Sequence, residues 1–296
     1  MTKRSEVEEA TNDTVIVAGT GRSGTTWLAD IINFRDEYRV MFEPFHHQRV
    51  DAVSHFKSRQ YLRDDNREIE YLEPVELILA GRVRSKWIDR FNGKVAPKKR
   101  LVKDIRVNLL LKWMRSNFLQ MPMILLLRHP CAVAHSRVRL NWETPFEGFL
   151  SQPDLMDDYL EPFKDMIVDI DNGDNEFEKA ILLWCIETYV PIKQFGEDDI
   201  QIVFYEHLCT EPIAELTKLF RFLKTQYDNT VERYIGRASS MATPESAVIK
   251  GQGLIDGWRE SLNERQVQRA MEMVSVFGLD NIYSSGSLPN RDGVFT

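Results

Sequence analysis

The 296-residue sequence contains few cysteines and no long apolar run. Its three cysteines, Cys131, Cys185 and Cys209, are odd in number and widely spaced, which favours reduced thiols over a disulfide framework or a metal site. The longest apolar runs fall far short of the roughly 20 residues of a membrane span, and the polar start lacks the apolar core of a secretory signal. We therefore expect a cytoplasmic protein that is not an integral membrane protein.

An excess of positive charge is also lacking. Lys and Arg number 38 against 45 Asp and Glu, for a formal net charge of −7. This balance argues against nonspecific nucleic-acid binding, so the charge that binds an anionic ligand has to be concentrated locally. With 43% hydrophobic and 28% charged residues and no repeat, we expect a single domain over 1–296, with 1–13 flexible.

Apolar strands alternate with helical patterns along the chain. This alternation predicts a three-layer α/β fold, in which helices cover both faces of a central parallel sheet of about five strands. The predicted strands are 15–18, 38–42, 100–103, 123–127 and 201–204. The predicted helices are 23–34, 74–91, 107–117, 130–140, 176–195 and 212–223.

Two segments, 141–175 and 239–262, show no clear strand pattern and are rich in Pro, Gly, Asp and Ser. Loops that close over a ligand or contact an acceptor have this composition, and so do ordinary surface loops. We interpret both segments as lid or acceptor loops.

The stretch VIVAGTGRSGTTWLADII, residues 15–32, joins an apolar strand to a helix through a glycine-rich turn. Such a turn directs backbone N–H groups and the positive end of the helix dipole to one point, which suits a phosphate. Its glycines permit a tight turn, its hydroxyls can donate hydrogen bonds, and its arginine carries a fixed charge. These residues are Gly19, Gly21, Arg22, Ser23, Gly24, Thr25 and Thr26.

The same loop departs from the nucleoside-triphosphatase motif. Gly19 and Gly24 have the spacing of GxxxxGK[ST], but Thr25 occupies the lysine position. The apolar strand 123–127 is followed by Arg128, not by an acidic residue that would hold magnesium. A cation there indicates a second anionic group on the ligand, and we expect no metal. A P-loop small-molecule kinase that lacks the lysine remains an alternative.

Four separated blocks carry a family resemblance: GTGRSGTTWL, LLLRHPCAVAHSR, IVFYEHLCTEPIAELTKLFRFL and KGQGLIDGWRESL. In this order they resemble the motifs of the sulfotransferases that use 3′-phosphoadenosine 5′-phosphosulfate (PAPS). The resemblance extends from residue 15 to about residue 262 and implies a P-loop-like sulfotransferase fold. It also implies PAPS as donor substrate, 3′-phosphoadenosine 5′-phosphate (PAP) as product and a hydroxyl-bearing acceptor.

The resemblance also implies which residues bind the donor. Arg22 and its loop would bind the 5′-phosphosulfate, Arg128 and Ser136 would bind the 3′-phosphate, and Tyr205 would lie against the adenine. The late Lys-Gly pair would close over the 3′-phosphate. The full implied set is Arg22, Ser23, Gly24, Thr25, Thr26, Trp27, Arg128, Ser136, Tyr205, Lys250 and Gly251.

The general base is less uniform in this family. Phenol and steroid members carry a histidine where this chain has Ile105, whereas RVMFEPFHH resembles glycan sulfotransferases, which place a Glu after the second strand. We therefore predict Glu43 as base, provided that partial burial raises its pKa, and we leave open His46 or His47 in this role. Glu43 could instead only orient Arg22 through an ion pair.

Two cations complete the predicted catalytic set. Arg22 would stabilise charge on the leaving 5′-phosphate, and Lys103 resembles the family's third-strand lysine that reaches the sulfuryl group. Alternatively, Lys103 is an ordinary surface lysine at the end of a strand. Asp104 and Arg106 could form a structural pair or contact an acceptor, and Trp142 could stack on a ring.

Together these features predict sulfuryl transfer from PAPS to an acceptor hydroxyl. The FEPFH element and the arginine-bearing loop favour a carbohydrate acceptor, whereas a lipid or secondary-metabolite alcohol remains an alternative because this fold varies its acceptor loops. A catalytically silent PAP-binding protein is a further alternative. The sequence leaves the oligomeric state open.

Overall fold

The described part of the chain covers most of the predicted domain. The computed structural model describes residues 13–93, 97–118, 121–144, 146–197, 199–237 and 253–295. Lys250, Gly251 and the rest of 239–252 lie outside these ranges, as do residues 1–12. Among the described helices, none combines the length and the apolar character that crossing a membrane requires.

Five parallel strands form the centre of the protein in the order β2-β3-β1-β4-β5. Most strand residues are buried, as expected where helices cover both faces of a parallel sheet. The predicted strands and the α/β class are confirmed, with β3 one residue longer at each end. The strands are β1 Thr14–Ala18, β2 Tyr38–Phe42, β3 Lys99–Asp104, β4 Met123–Leu127 and β5 Gln201–Phe204.

Helices pack on both faces of the sheet. Alternate residues of β1 point to opposite faces: Val15 and Val17 join one apolar core, while Ile16 and Ala18 join the other. The helices of six residues or more in the described ranges are α1 Thr25–Ile32, α2 Ile69–Leu79, α3 Leu111–Asn117, α4 Pro130–Arg139, α5 Lys164–Asn172, α6 Glu176–Gln194, α7 Tyr205–Thr210, α8 Pro212–Phe222 and α9 Glu264–Val276.

Helix α2 does not match the prediction of a helix over 74–91. A proline is usual in the first turn of a helix, but Pro74 lies inside α2, where it cannot donate to the Glu70 carbonyl four residues earlier. The Nε2 atom of His55 lies 2.9 Å from that carbonyl oxygen and takes the place of the missing donor. The helix ends before Gly81, whose φ of 69° reverses the chain.

The segment 141–175, residue 145 aside, is largely helical, so it does not form the irregular loops that its composition suggested, while its role as a lid or acceptor segment stays a prediction. Short helical turns over Glu147–Leu150 and Pro153–Leu155 precede α5. Their apolar side chains are buried, and this burial stabilises helical turns that the polar composition obscured. Helix α9 was not predicted, although the capping box of Asn263 and Gln266 marks its start.

The strand order creates a crevice at the carboxyl edge of the sheet. From β1 the chain crosses toward β2, and from β4 it crosses the other way toward β5. Neighbouring strands whose connections diverge leave an opening beyond their carboxyl ends, where ligands bind in open α/β sheets. The loop after β1 and the turn after β4 border this opening.

Candidate active site

The loop between β1 and α1 contains residues with positive φ angles, some of them glycines and one of them an arginine. Gly24 adopts φ 103°, and a Cβ atom there would lie 2.9 Å from Cδ2 of Tyr205, so that close approach requires glycine. Arg22 adopts φ 82°, a left-handed conformation that is costly for a residue with a side chain. Such strain concentrates at functional sites.

Two arginines meet above this loop. The Arg22 side chain donates through Nε to Ser136 Oγ at 3.0 Å, and Arg128 approaches the Arg22 carbonyl oxygen at 3.4 Å. Burial and the charges of Arg128 and Arg139 lower the pKa of Arg22. Within the described ranges, neither Arg22 nor Arg128 forms an ion pair with a carboxylate.

Several polar atoms of this region lack partners. Ser23 Oγ and Arg128 Nε are both buried, and neither has a hydrogen-bond partner in the described part of the chain. Buried polar groups are normally satisfied, and those that are not often await a ligand. Together with the helix N-terminus at Gly24, these hydrogen-bonding groups fit an anionic ligand.

The Arg128 guanidinium packs on the ring of Tyr205, which in turn packs on Trp27. The Arg128 guanidinium carbon lies 3.9 Å from the centroid of the Tyr205 ring, and the Trp27 ring lies 5.2 Å from the same centroid. Burial raises the pKa of Tyr205 to about 12. Since the Tyr205 ring is 3% exposed, a contact with adenine would require Arg128 to shift.

A second group of charges lies at the ends of β2 and β3. Glu43 Oε1 accepts from Lys103 Nζ at 2.8 Å, and Oε2 accepts from an Arg106 NH group at 2.7 Å. The Glu43 amide donates to the Lys103 carbonyl at 2.7 Å, which holds Glu43 at a left-handed φ of 43°. Glu43 and Lys103 are both buried, so this is a largely dehydrated ion pair.

The pKa of Glu43 is lower than that of an ordinary glutamate. Burial by itself raises it, but the charges and hydrogen bonds of Lys103 and Arg106 lower it by more, so the expectation that burial would raise the pKa of Glu43 was wrong for this arrangement. The net effect is a carboxylate at neutral pH. In this arrangement both of its oxygens are occupied by cations.

Asp104 holds the two loops that carry this group. Its carboxylate accepts from the Phe45 amide and from the Arg106 amide, both at 2.8 Å. Burial and the neighbouring Glu43 raise the pKa of Asp104 to about 6. Asp104 therefore contacts the backbone of Arg106, and the side chain of Arg106 pairs with Glu43.

The two alternative bases lie beside Glu43. Burial and the Arg106 charge lower the pKa of His46 to about 4, and the same causes lower that of His47. The Nδ1 atoms of both rings are buried and unpartnered as far as the structure is described. Each imidazole is therefore neutral at pH 7 and able to accept a proton.

The turn after β4 is held by a buried network that the sequence analysis missed. Glu206 is fully buried and accepts from the His129 amide at 2.8 Å and from the Tyr283 hydroxyl at 2.9 Å. The Trp184 indole donates to the Arg128 carbonyl at 2.9 Å. The C-terminal segment thus fixes the turn that presents Arg128, and the charged residue inside the YEHL block was the available signal.

The predicted site residues fall into two groups at one sheet edge. Arg22, Arg128 and Ser136 meet at the loop after β1, and Glu43 and Lys103 meet at the ends of β2 and β3. Thr25 is buried, and Thr26 is partly exposed at the start of α1. Lys250 and Gly251 are outside the described residues, so their predicted contacts remain predictions.

Comparisons with solved structures return sulfotransferases at low similarity. One is a sulfotransferase domain from the Synechococcus PCC 7002 olefin synthase, with 16% identity over 90% of this chain and 94% of that chain and a TM-score of 0.49. Another is a sulfotransferase domain from the curacin biosynthetic pathway, with 14% identity, 89% and 96% coverage and a TM-score of 0.49. Mouse sulfotransferase SULT7A1 complexed with PAP has 13% identity, 92% and 88% coverage and a TM-score of 0.44.

These values are too low to support a conclusion about substrates. Among curated proteins, none matches the sequence. The model of the sulfotransferase domain family, however, matches residues 12–274, which is most of the chain and includes both groups of site residues. The chain is therefore a transferase that belongs to the sulfotransferase family.

Proposed function

We propose that this enzyme transfers the sulfuryl group of PAPS to an acceptor hydroxyl and releases PAP and a sulfate ester. The observation that carries the proposal is the pair of arginines, Arg22 and Arg128, at the crevice between β1 and β4. Both are partly buried and neither pairs with a carboxylate within the described residues, so an anionic ligand would supply the counter-charge that this part of the protein lacks. PAPS is anionic at both ends and would compensate both arginines.

Each end of the donor has its own residues in this proposal. Arg128, whose Nε is unsatisfied in the described chain, binds the 3′-phosphate. Ser136 accepts from Arg22, and its own hydroxyl hydrogen can still be donated to a phosphate. Arg22, the amide of Gly24 and the hydroxyls of Thr25 and Thr26 bind the 5′-phosphosulfate.

The reaction then needs a base that deprotonates the acceptor hydroxyl and a leaving phosphate that departs without being protonated. The acceptor oxygen loses its proton to the base and forms a bond to sulfur, while the bond from sulfur to the 5′-phosphate oxygen breaks. That oxygen leaves with the bonding electron pair. Arg22 stabilises the negative charge that develops there, which is the role of a preorganised cation in group transfer.

Glu43 is the base in this proposal, and Lys103 controls it. Lys103 now holds Glu43 Oε1 at 2.8 Å, which keeps the pKa of Glu43 low. An anionic sulfuryl group nearby competes for the Lys103 ammonium. Once Lys103 turns toward it, Oε1 is released and the pKa of Glu43 rises toward the range of a useful base.

We further propose a carbohydrate as the acceptor. The Trp142 ring is 37% exposed and lies 5.7 Å from the Arg22 guanidinium carbon, so it offers an apolar face beside the reacting position. Sugar rings stack on such faces. A lipid or secondary-metabolite alcohol is the alternative, and the cytoplasmic location stays a prediction.

Calorimetric titration of the full chain with PAP, ADP and ATP, with and without magnesium, tests the donor assignment. We expect tight PAP binding that does not depend on magnesium and that is lost when adenosine 5′-phosphate, which lacks the 3′-phosphate, replaces PAP. Preference for ATP with magnesium would overturn the proposal in favour of a kinase.

Turnover distinguishes an enzyme from a protein that only binds PAP. A panel of sugars, lipid alcohols and phenols is incubated with PAPS, and PAP release is followed by chromatography. PAP release that requires an acceptor of the sugar class supports the proposal. If phenols or lipid alcohols alone support release, the carbohydrate assignment is wrong while the sulfuryl transfer stands.

A further inference from the structure

Arg137 is a buried arginine that the proposed reaction does not use. Its side chain is 2% exposed and donates to Thr144 Oγ1 at 2.9 Å and to the Glu143 carbonyl at 3.3 Å. Its Nε is buried without a partner among the residues described, and it forms no ion pair with a described carboxylate. A buried guanidinium in this state is costly unless an anion reaches it.

Arg137 lies on the acceptor side of the loop after β1. A Cβ atom at Gly21 would lie 3.0 Å from the Trp142 ring and 3.4 Å from an Arg137 NH group. Its guanidinium carbon is 5.3 Å from the centroid of the Trp142 ring, the ring proposed above to face the acceptor. The side chain thus packs against Gly21 and Trp142 and, at 2% exposure, would reach an acceptor group only after a local shift of these neighbours.

Other charges surround this position. Burial, and after it the charge of Arg59, lower the pKa of Arg137 to about 10; the Glu187 charge raises it in part, and Arg106 and Arg22 lower it slightly more. Arg59 pairs with the fully buried Glu187, whose second oxygen, Oε2, has no partner in the described ranges. Even at the lowered pKa, Arg137 is protonated at neutral pH.

The positive charge here exceeds what the carboxylates neutralise. Glu187 pairs with Arg59, and Glu43 is shared by Lys103 and Arg106. Asp104, whose carboxylate accepts from the Arg106 amide, supplies a further negative charge beside these two cations. That leaves Arg137 without a counter-charge of its own on the described side chains. The excess lies beside the acceptor space and is separate from the Arg128 position.

We propose that Arg137, supported by Arg59 and Arg106, binds an anionic substituent of the acceptor, a carboxylate, sulfate or phosphate group carried near the hydroxyl that is sulfated. The inference rests on the proposed function, because it needs an acceptor in this space. It narrows that function to acidic acceptors. Neutral alcohols would leave Arg137 buried and uncompensated, which disfavours their binding.

Inorganic sulfate is the first probe, titrated by calorimetry into the full chain saturated with PAP. We expect one sulfate to bind, and Arg137→Gln to weaken it about tenfold or more, the usual worth of a hydrogen bond to a charged group. Glu187→Gln should strengthen sulfate binding, since it removes a nearby negative charge. Titration of each variant with PAP is the folding control, because a variant that binds PAP as tightly as the wild type has a folded site and its change in sulfate affinity is then local.

Arg221→Gln, at an exposed position on α8, is the matched control and should leave sulfate binding unchanged. Equal sulfate affinity in wild type and Arg137→Gln, or weaker binding in Glu187→Gln, would overturn the inference. So would the absence of sulfate binding to the PAP complex. Failure of PAP itself to bind would instead refute the proposed function.

A second pair of probes separates the acceptor side from the donor sulfuryl position. Methyl β-D-glucuronide and the neutral methyl β-D-glucoside are titrated into the same PAP complex. The inference expects the glucuronide to bind more tightly, and Arg137→Gln to abolish that preference. No preference in the wild type would assign Arg137 to the donor sulfuryl group and overturn the inference.

Discussion

The two groups of charges at the sheet edge differ in how their cations are compensated. At the loops after β1 and β4, Arg22 contacts a hydroxyl and Arg128 contacts carbonyl oxygens and a ring. At the ends of β2 and β3, Lys103 and Arg106 share one carboxylate, Glu43. The first group keeps its charge for a ligand, and the second group uses its charge to hold a side chain.

This difference separates binding from reaction. Uncompensated arginines attract an anion, because their partly buried charge has no carboxylate partner among the described residues. Cations that are paired with a carboxylate lower its pKa, and a ligand that draws a cation away raises that pKa again. Variants of the first group should therefore change donor affinity or charge stabilisation, and variants of Glu43 should change turnover alone.

The largest effect is expected for Arg22→Gln. Removing the cation that stabilises the leaving phosphate should lower kcat by about 10²–10³-fold, the usual cost of losing one such donor. Rates of PAP release with saturating PAPS and acceptor measure this. The Arg221→Gln control should keep full turnover, and near-normal turnover in Arg22→Gln would remove Arg22 from the reaction.

Glu43→Gln should lower kcat by ~10²-fold or more, the typical loss when a general base is removed. PAP affinity should stay nearly intact, because Glu43 forms no hydrogen bond or ion pair with Arg22, Arg128 or Ser136. Asp228→Asn, which removes a carboxylate from a surface ion pair with Arg35, is the control. Full turnover in Glu43→Gln would transfer the role of base to His46 or His47, whose Gln variants then decide between them.

Arg128→Ala should weaken PAP binding by about 10- to 100-fold, as expected when a charge-assisted hydrogen bond is lost. Calorimetry with PAP and with adenosine 5′-phosphate in parallel sharpens this expectation. Only PAP should lose affinity, since adenosine 5′-phosphate has no 3′-phosphate. An equal loss for both nucleotides would mean that Arg128 supports the site without contacting that phosphate.

Ser136→Ala should have a smaller effect on PAP binding, about 2- to 10-fold, in line with the worth of a neutral hydrogen bond. The variant also removes the acceptor of the Arg22 Nε hydrogen bond, so kcat should fall together with affinity. Measured affinity and turnover equal to those of the wild type would exclude Ser136 from both roles.

The smallest change is expected on varying pH through neutrality. The pKa of Glu43 is lowered and that of His46 is about 4, so whichever group is the base is deprotonated well below pH 7. At low concentrations of PAPS and acceptor, kcat/KM reports the groups of the free enzyme, and it should be flat between about pH 6 and 8 and fall only as acid protonates the base. An acid limb near pH 6.5, the ordinary histidine value, would contradict both assignments.

Local sequence patterns predicted the structure well where a strand, a turn and a helix follow one another directly along the chain. The strand, glycine turn and helix over 15–32 predicted the anion-binding loop, because apolar runs and glycines act on their immediate neighbours. The same local reading failed at Pro74, whose effect depended on a histidine 19 residues earlier, and across 141–175, where distant packing stabilised short helices.

The sequence analysis identified Glu43, Lys103 and Arg128, each at or just after the end of a strand, but not their pairing. Parallel register sets Phe42 opposite Lys103, and that register brings Glu43 onto the lysine. Residues that meet across helices, such as Glu206 with Tyr283, or Arg59 with Glu187, left no periodic signal. Their contacts follow from the packing of whole elements.

The sequence by itself determined the sheet, the glycine-rich loop after β1 and the residue types at the sheet edge, since these follow from hydrophobic period, turn chemistry and strand ends. Only the tertiary structure decided which charges are compensated. Compensation depends on distances of a few ångström between side chains from different elements, and at that range burial and pairing act in opposite directions on the pKa of Glu43. The two groups of charges at the sheet edge therefore became distinguishable only in the folded protein.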